Sequence, residues 1–312
     1  MPHDGRVADA GVQEVDEGSV NRLCEEYVRN VAALDPVLAT HTGLVGHDAS
    51  LTDLSPDGWE AREECSRRAW TAVEAAVPAD AQEALARSAF LERLSSERDL
   101  VDAGLLRGEV NVVSTSLHRL RGVFDLMPTD GEEAWANIDA PLAEVPAALE
   151  GYRATLRDEA AHGRVAARRQ YVEVAAQVQA WADAHEGAGL FGDLVSSADV
   201  GFPLYRCLGQ HASAATEALA VTARFLAEEM APLGRQRDAV GRNHYALASR
   251  HFLGSTIDLD DTYAWGWEEL HRISAEMGRT AREILPGAAG SDEVAVADAV
   301  RSQRIRRRRY RR

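Results

Sequence analysis

The chain has 312 residues, of which 46% are hydrophobic and 27% charged, long enough for one large domain or two with a sizeable core. Its net charge is −16. Residues 301–312 hold eight arginines and no acid, which leaves −24 on the first 300 residues, a field that repels nucleic acid and anionic membrane.

Helical periodicity governs most of the chain. Val20, Leu23, Cys24, Tyr27, Val28, Val31 and Leu34 recur at spacings of three and four, so a helix is predicted over 20–34 with Ser19 as its N-cap. Asp35-Pro36 ends it or opens a short helix. Ser55-Pro56 supplies an N-cap and a first-turn proline for a helix to about residue 77, and Pro78 separates it from another reaching about residue 106.

The β-branched stretch 110–117 is assigned to helix, because no partner strand is in sight. Thr129 and Glu132 form a capping-box pattern ahead of Trp135, Ile138 and Leu142. Pro146 is read as opening a separate helix that stops at Gly163. A further helix is predicted over 165–184, then a glycine-rich loop over 187–201, then helices over 208–230, 238–252 and 259–285. Asp258, Asp260 and Asp261 stand at the start of the last, where the helix dipole favours negative charge. The fold class is all-α: a multi-helix array of long antiparallel helices.

Residues 1–18 are polar and acidic and read as a disordered N-terminus without a signal peptide. No stretch approaches the roughly 20 apolar residues of a membrane helix. Cys24, Cys65 and Cys207 are too scattered for a disulfide framework or a cysteine zinc site, which predicts a cytoplasmic protein. Residues 288–312 read as an Arg-rich tail, frameshifted or disordered, with a nucleic-acid-binding arm as the alternative. Every one of the 34 basic residues in the chain is Arg, as expected of a GC-rich coding sequence.

Metal and nucleotide motifs fail on spacing. His185-Glu186 begins like a zinc-peptidase helix, but position 189 is Gly where a second His is required one turn on. Gly187, Gly189 and Gly192 have dinucleotide-fingerprint spacing, yet a helical run precedes them where a strand is needed. Glu159/His162 and Glu268/His271 each have the Glu-x-x-His spacing of di-iron bundles and are read as solvated helix faces. His244 and His251 lie two turns apart, about 10 Å along the helix, too far for one metal ion. His41 and His47 flank a turn with no third ligand nearby. Trp267, Leu270 and Ile273 are assigned to the core, with a partner domain as the alternative for the aromatic cluster that includes Tyr263 and Trp265.

Three blocks resemble the bacterial domain of unknown function 885 (DUF885) family. The first runs from Tyr27 to Asp48 and carries Asp35-Pro36 and Ala39-Thr40 ahead of Gly43. The second is Phe124-Asp125-Leu126-Met127-Pro128 with Trp135, Ile138, Pro146, Leu149 and Tyr152, and the third is Asp258 to Leu270, preceded by Phe252-Leu253-Gly254. In order they span residues 20–287.

The resemblance implies a zinc-metallopeptidase-like protein about twice this length, whose zinc ligands lie in a downstream His-Glu helix written around His-Glu-Gly-x-Pro-Gly-His-His. That motif does not occur in this sequence. The resemblance therefore implies the N-terminal half alone, truncated before the metal-site half. It carries over no catalytic, cofactor-binding or metal residue, no zinc is expected in this chain, and no activity is expected of it alone. The alternative is a helical interaction module that pairs with a separately encoded metal-binding half, or with a second copy, through exposed helix faces.

Overall fold

The computed structural model describes residues 19–183, 189–287 and 290–309, with side chains as far as Arg301. Among these residues every regular element is helical, and the one extended pairing is an isolated bridge between Ala167 and Arg235. The chain divides into two units, Met1–Gly254 and Ser255–Arg312.

The first unit contains α1 (Val20–Leu34), α2 (Pro36–Thr42), α3 (Pro56–Ala75), α4 (Ala81–Asp102), α5 (Ser116–Val123), α6 (Glu132–Ala161), α7 (Arg168–Ala182), α8 (Gly189–Ser196) and α9 (Phe202–Arg224). A π-helical stretch, Phe225–Met230, carries α9 into the single turn α10 (Ala231–Leu233), and α11 (Arg242–Leu253) closes the unit. Local chemistry sets the starts. Ser19 accepts a hydrogen bond from the Arg22 amide at 3.2 Å, and Asp35 from that of Leu38 at 3.0 Å. Ser55 accepts from Gly58 at 3.2 Å ahead of Pro56. Each satisfies a donor that the first helical turn leaves free.

The core centres on α9, against which α6, α7 and α8 pack. Trp135, Leu149, Tyr171, Phe191, Leu208 and Leu219 are all fully buried there. A second layer, α1, α3 and α4, joins α6 through α3, and α11 lies along α4. Gly151 marks one close approach: a Cβ at that position would lie 2.8 Å from the Ser55 amide, so α6 and the chain entering α3 meet backbone to backbone.

Four local expectations are corrected. Residues 110–115 are not helical, because the Asn111 carboxamide oxygen accepts from the Val113 and Ser114 amides, both at 2.8 Å, and holds a turn until α5 starts at Ser116. The Thr129 capping box does not form; the N-cap of α6 is Gly131, at a φ of 89° that suits glycine. Pro146 opens no new helix, since α6 runs through both Pro141 and Pro146. Each proline deprives a carbonyl one turn back, that of Asn137 or Leu142, of its helical donor, a cost of about 3 kcal/mol in a helix without tertiary support. Ile138, Leu142, Val145 and Leu149 are fully buried around them, so packing holds the helix together.

The fourth correction is α8, which stands where a loop was expected. Phe191 and Val195 turn into the core, and the Phe191 ring meets Phe124 edge-on at 5.1 Å.

The second unit pairs α12 (Leu259–Ile284) with α13 (Asp292–Arg309). Asp258 caps α12, accepting from the Asp260 and Asp261 amides at 2.9 and 3.0 Å. The stretch from residue 288, expected to be a disordered or foreign tail, is helical over Asp292–Arg309. Ala295 and Ala299, one turn apart, are buried with Ala281 of α12. Arg282 donates to Asp292 at 2.8 Å, and Gly278 leaves room for that carboxylate, which would lie 2.2 Å from a Cβ. Residues 1–18 and 310–312 fall outside the described residues, so neither the expected disorder of the N-terminus nor the end of the arginine run is described.

Candidate functional site

Two features can meet another molecule, one in each unit. In the second unit, α12 carries a stripe at helical spacing: Tyr263, Trp267, Leu270, Ile273 and Met277, continued by Ala281. α13 covers the Ala281 end. The rest is exposed, with Trp267 at 47% and neighbouring Trp265 at 62%. The assignment of Trp267, Leu270 and Ile273 to the core is therefore overturned. The face has the apolar character of a core helix but nothing from its own unit upon it, which is the usual mark of an interaction surface.

In the first unit, a cavity of about 310 Å³ is walled by α1, α3, α4, α5 and α11 together with the segments around α2. Tyr27, Trp59, Leu54 and Leu120 contribute its apolar lining. Its charged residues are Asp35, Arg62, Glu63, Arg93, Glu97 and Arg119, with His251 at the rim contributed by α11.

Most of these groups are already engaged. Glu63 binds the Arg107 guanidinium with both oxygens. Asp35, besides capping α2, accepts from the Thr52 hydroxyl. The Arg62 guanidinium lies 4.6 Å over the Trp59 ring and donates to the Asp53 carbonyl at 2.7 Å. Burial lowers the Arg62 pKa, and the like charge of Arg119 adds to the effect.

Tyr27 shares a hydrogen bond with Ser66 at 3.2 Å, and burial pushes its phenol up to about 12. Burial also raises the Glu97 carboxyl above the usual range, against the pull of Arg93 and Arg62.

The Ser96 hydroxyl oxygen lies 2.9 Å from the Arg93 carbonyl and shares a hydrogen bond of 3.2 Å with Nδ1 of the His251 imidazole. Burial and the nearby Arg93 lower its pKa, which favours the neutral ring.

The motif residues do not converge. Glu159, expected on a solvated face, is 1% exposed and ion-paired with Arg164 at 2.6 and 2.7 Å. Its partner in spacing, His162, is exposed and bonded to the Asp158 carbonyl. Glu268 and His271 are both exposed. His244 is half-buried, whereas His251 faces Ser96. His41 bonds the Arg119 carbonyl at 3.0 Å. His185, Glu186 and Gly187 lie outside the described residues, and Gly189 and Gly192 belong to α8. Among the described residues no group of three or more His, Cys, Asp or Glu could hold a metal ion.

Sequence reading missed the cavity and also a half-buried pair, His211 with Asp139 at 2.8 Å. The cavity residues lie on separate elements, and an isolated Arg or Glu on a helix carries no signal beyond solvation.

Residues 36–311 match the bacterial protein family of unknown function DUF885, and the chain belongs to that family. The matched span runs through the arginine-rich segment. A solved structure, described as the putative lipoprotein from Colwellia psychrerythraea, aligns with a TM-score of 0.68 at 13% identity, over 90% of this chain and 54% of that one. That likeness shows a shared fold, and the chain spans about half the length of this relative. No curated protein matches the chain. No described helix is long and apolar enough to cross a membrane.

Proposed function

We propose that this chain is the helical first half of a metallopeptidase-like fold, without hydrolytic activity by itself. It acts as a lobe on which a second, zinc-carrying half packs through the exposed face of α12. The observation that carries this reading is the Tyr263–Met277 stripe, apolar at core spacing and open to solvent. The greater length of the solved relative supports it, because this chain covers 54% of that one. Cytoplasmic residence belongs to the same proposal, supported by three free thiols.

The test is to translate the DNA downstream of codon 287 in every frame and co-express each product with the chain. One product is expected to co-purify, to bring zinc, and to cleave members of a peptide library, and Trp267→Ala with Leu270→Ala is expected to release it. Zinc binding and peptide cleavage by the chain alone would overturn the reading, as would the absence of any binding product.

A further inference from the structure

The first-unit cavity has a charge arrangement that its own walls do not complete. Three guanidiniums, of Arg62, Arg93 and Arg119, share it with three carboxylates. Two of those carboxylates are committed: Glu63 is forked onto Arg107, and Asp35 holds the start of α2 and Thr52. Arg93 donates to the His251 carbonyl at 2.8 Å and Arg62 to that of Asp53. Arg119 differs from both. Among the described residues its guanidinium makes no hydrogen bond or ion pair, although its charge reaches Arg62, which it disfavours, and Glu109.

Asp35, Asp53 and Glu63 offset the Arg119 charge at Arg62, which stacks on the Trp59 indole. Among the described residues no carboxylate is bonded to the Arg119 guanidinium, so it is the group open to an added anion. A guanidinium fork fits the two oxygens of a carboxylate with parallel N–H···O bonds. A phosphate dianion suits the site less well, since Asp35 and Glu97 stand at the same cavity and would repel its second charge. Tyr27, Leu54, Trp59 and Leu120 add apolar lining, and a volume of about 310 Å³ lies at the small end of ligand pockets. An extended polymer has no room there, and a chain of net charge −16 does not draw polyanions.

We propose that this cavity binds a small organic monocarboxylate, held by Arg119 and Arg62, with its apolar body against Trp59, Leu54 and Leu120. The site is independent of the α12 face and of any second half, so it stands or falls separately from the proposed function.

Calorimetric titration of the full chain with 3-phenylpropionate, its uncharged amide 3-phenylpropionamide, and inorganic phosphate tests it. Saturable binding of 3-phenylpropionate is expected, with the amide and phosphate each weaker by about tenfold or more. Arg119→Gln removes an exposed side chain and leaves folding intact, and is expected to weaken the carboxylate by a similar factor while leaving the amide unchanged. Trp59→Phe retains the apolar floor but weakens the stacked Arg62, and is expected to weaken the carboxylate to a smaller extent. The proposal is overturned if the amide or phosphate binds as tightly as the carboxylate, or if none of the three binds. It is equally overturned if Arg119→Gln binds 3-phenylpropionate like the wild type, which would mean adsorption on another apolar surface.

Discussion

Arg250 holds Glu92 by both carboxylate oxygens, with Nε and Nη2 each at 2.8 Å, and turns its remaining nitrogen to Asp99. The contact matters because α11 has no buried residue of its own. What ties α11 to α4 is polar: this fork, the Arg93 bond to the His251 carbonyl, and Ser96 with His251. Arg250→Gln is therefore expected to leave the global unfolding midpoint nearly unchanged, within about 1 kcal/mol, while amide exchange over residues 242–253 accelerates several-fold. High salt is expected to do the same in the wild type. Exchange measured by mass spectrometry decides it; unaltered protection in the variant would mean that α11 is held some other way.

Glu97 gives a pH dependence of unusual sign. Burial raises its folded-state pKa above the unfolded value, so at neutral pH the charged carboxylate weighs against folding. Below the unfolded pKa the side chain is protonated in both states and the penalty vanishes. Glu97→Gln is expected to unfold at higher urea than the wild type at pH 7, and the two are expected to converge as the pH falls to about 4. A variant less stable than the wild type at pH 7 would show that Arg62 and Arg93 outweigh burial at this site.

Phe191 anchors α8 with no exposed surface, edge-on to Phe124. Phe191→Ala is expected to cost about 3–5 kcal/mol. Phe202→Ala, at a residue 76% exposed, is expected to cost less than about 0.5 kcal/mol. Urea melts of the two variants compare them directly, and similar losses would contradict the burial of α8.

Removing Arg164 strands the Glu159 carboxylate in the interior. Because Arg164 is itself partly exposed, the loss in Arg164→Ala is expected at about 2 kcal/mol, below that of a fully buried pair. Adding Glu159→Gln to that variant is expected to recover part of the loss, since the stranded charge is gone. A double-mutant cycle in urea reads the coupling, and purely additive losses would show the pair to be independent.

The helices were legible where side chains act on their own turn. Ser19, Asp35, Ser55-Pro56 and Asp258 cap helices because their oxygens reach amides two or three residues away, a relation contained in the local sequence. The failures came where distant packing decides. Pro146 looks like a boundary until the buried faces on both sides are known, and the glycines around α8 look like a loop until Phe191 finds Phe124. The α12 stripe was legible as a stripe, but periodicity does not tell whether a face is covered. The cavity was illegible, because its walls come from segments more than 200 residues apart, as Tyr27 and His251 show.

The π-helical stretch Phe225–Met230 also bears on which changes of length this fold tolerates. Its wider turn lets Phe225, Leu226, Met230 and Ala231 all face inward. A one-residue deletion there is absorbed by a return to ordinary helical winding, so the helix on either side keeps its facing. The same deletion within α9 would rotate everything beyond it by about 100°. A deletion within α9 would therefore carry Gly234, whose missing Cβ would sit 2.7 Å from the Arg168 backbone, off that contact and take Arg235 from Ala166 and Arg168. A sequence comparison that aligns residues without regard to this extra residue would place α11, and with it His251, one position out of register.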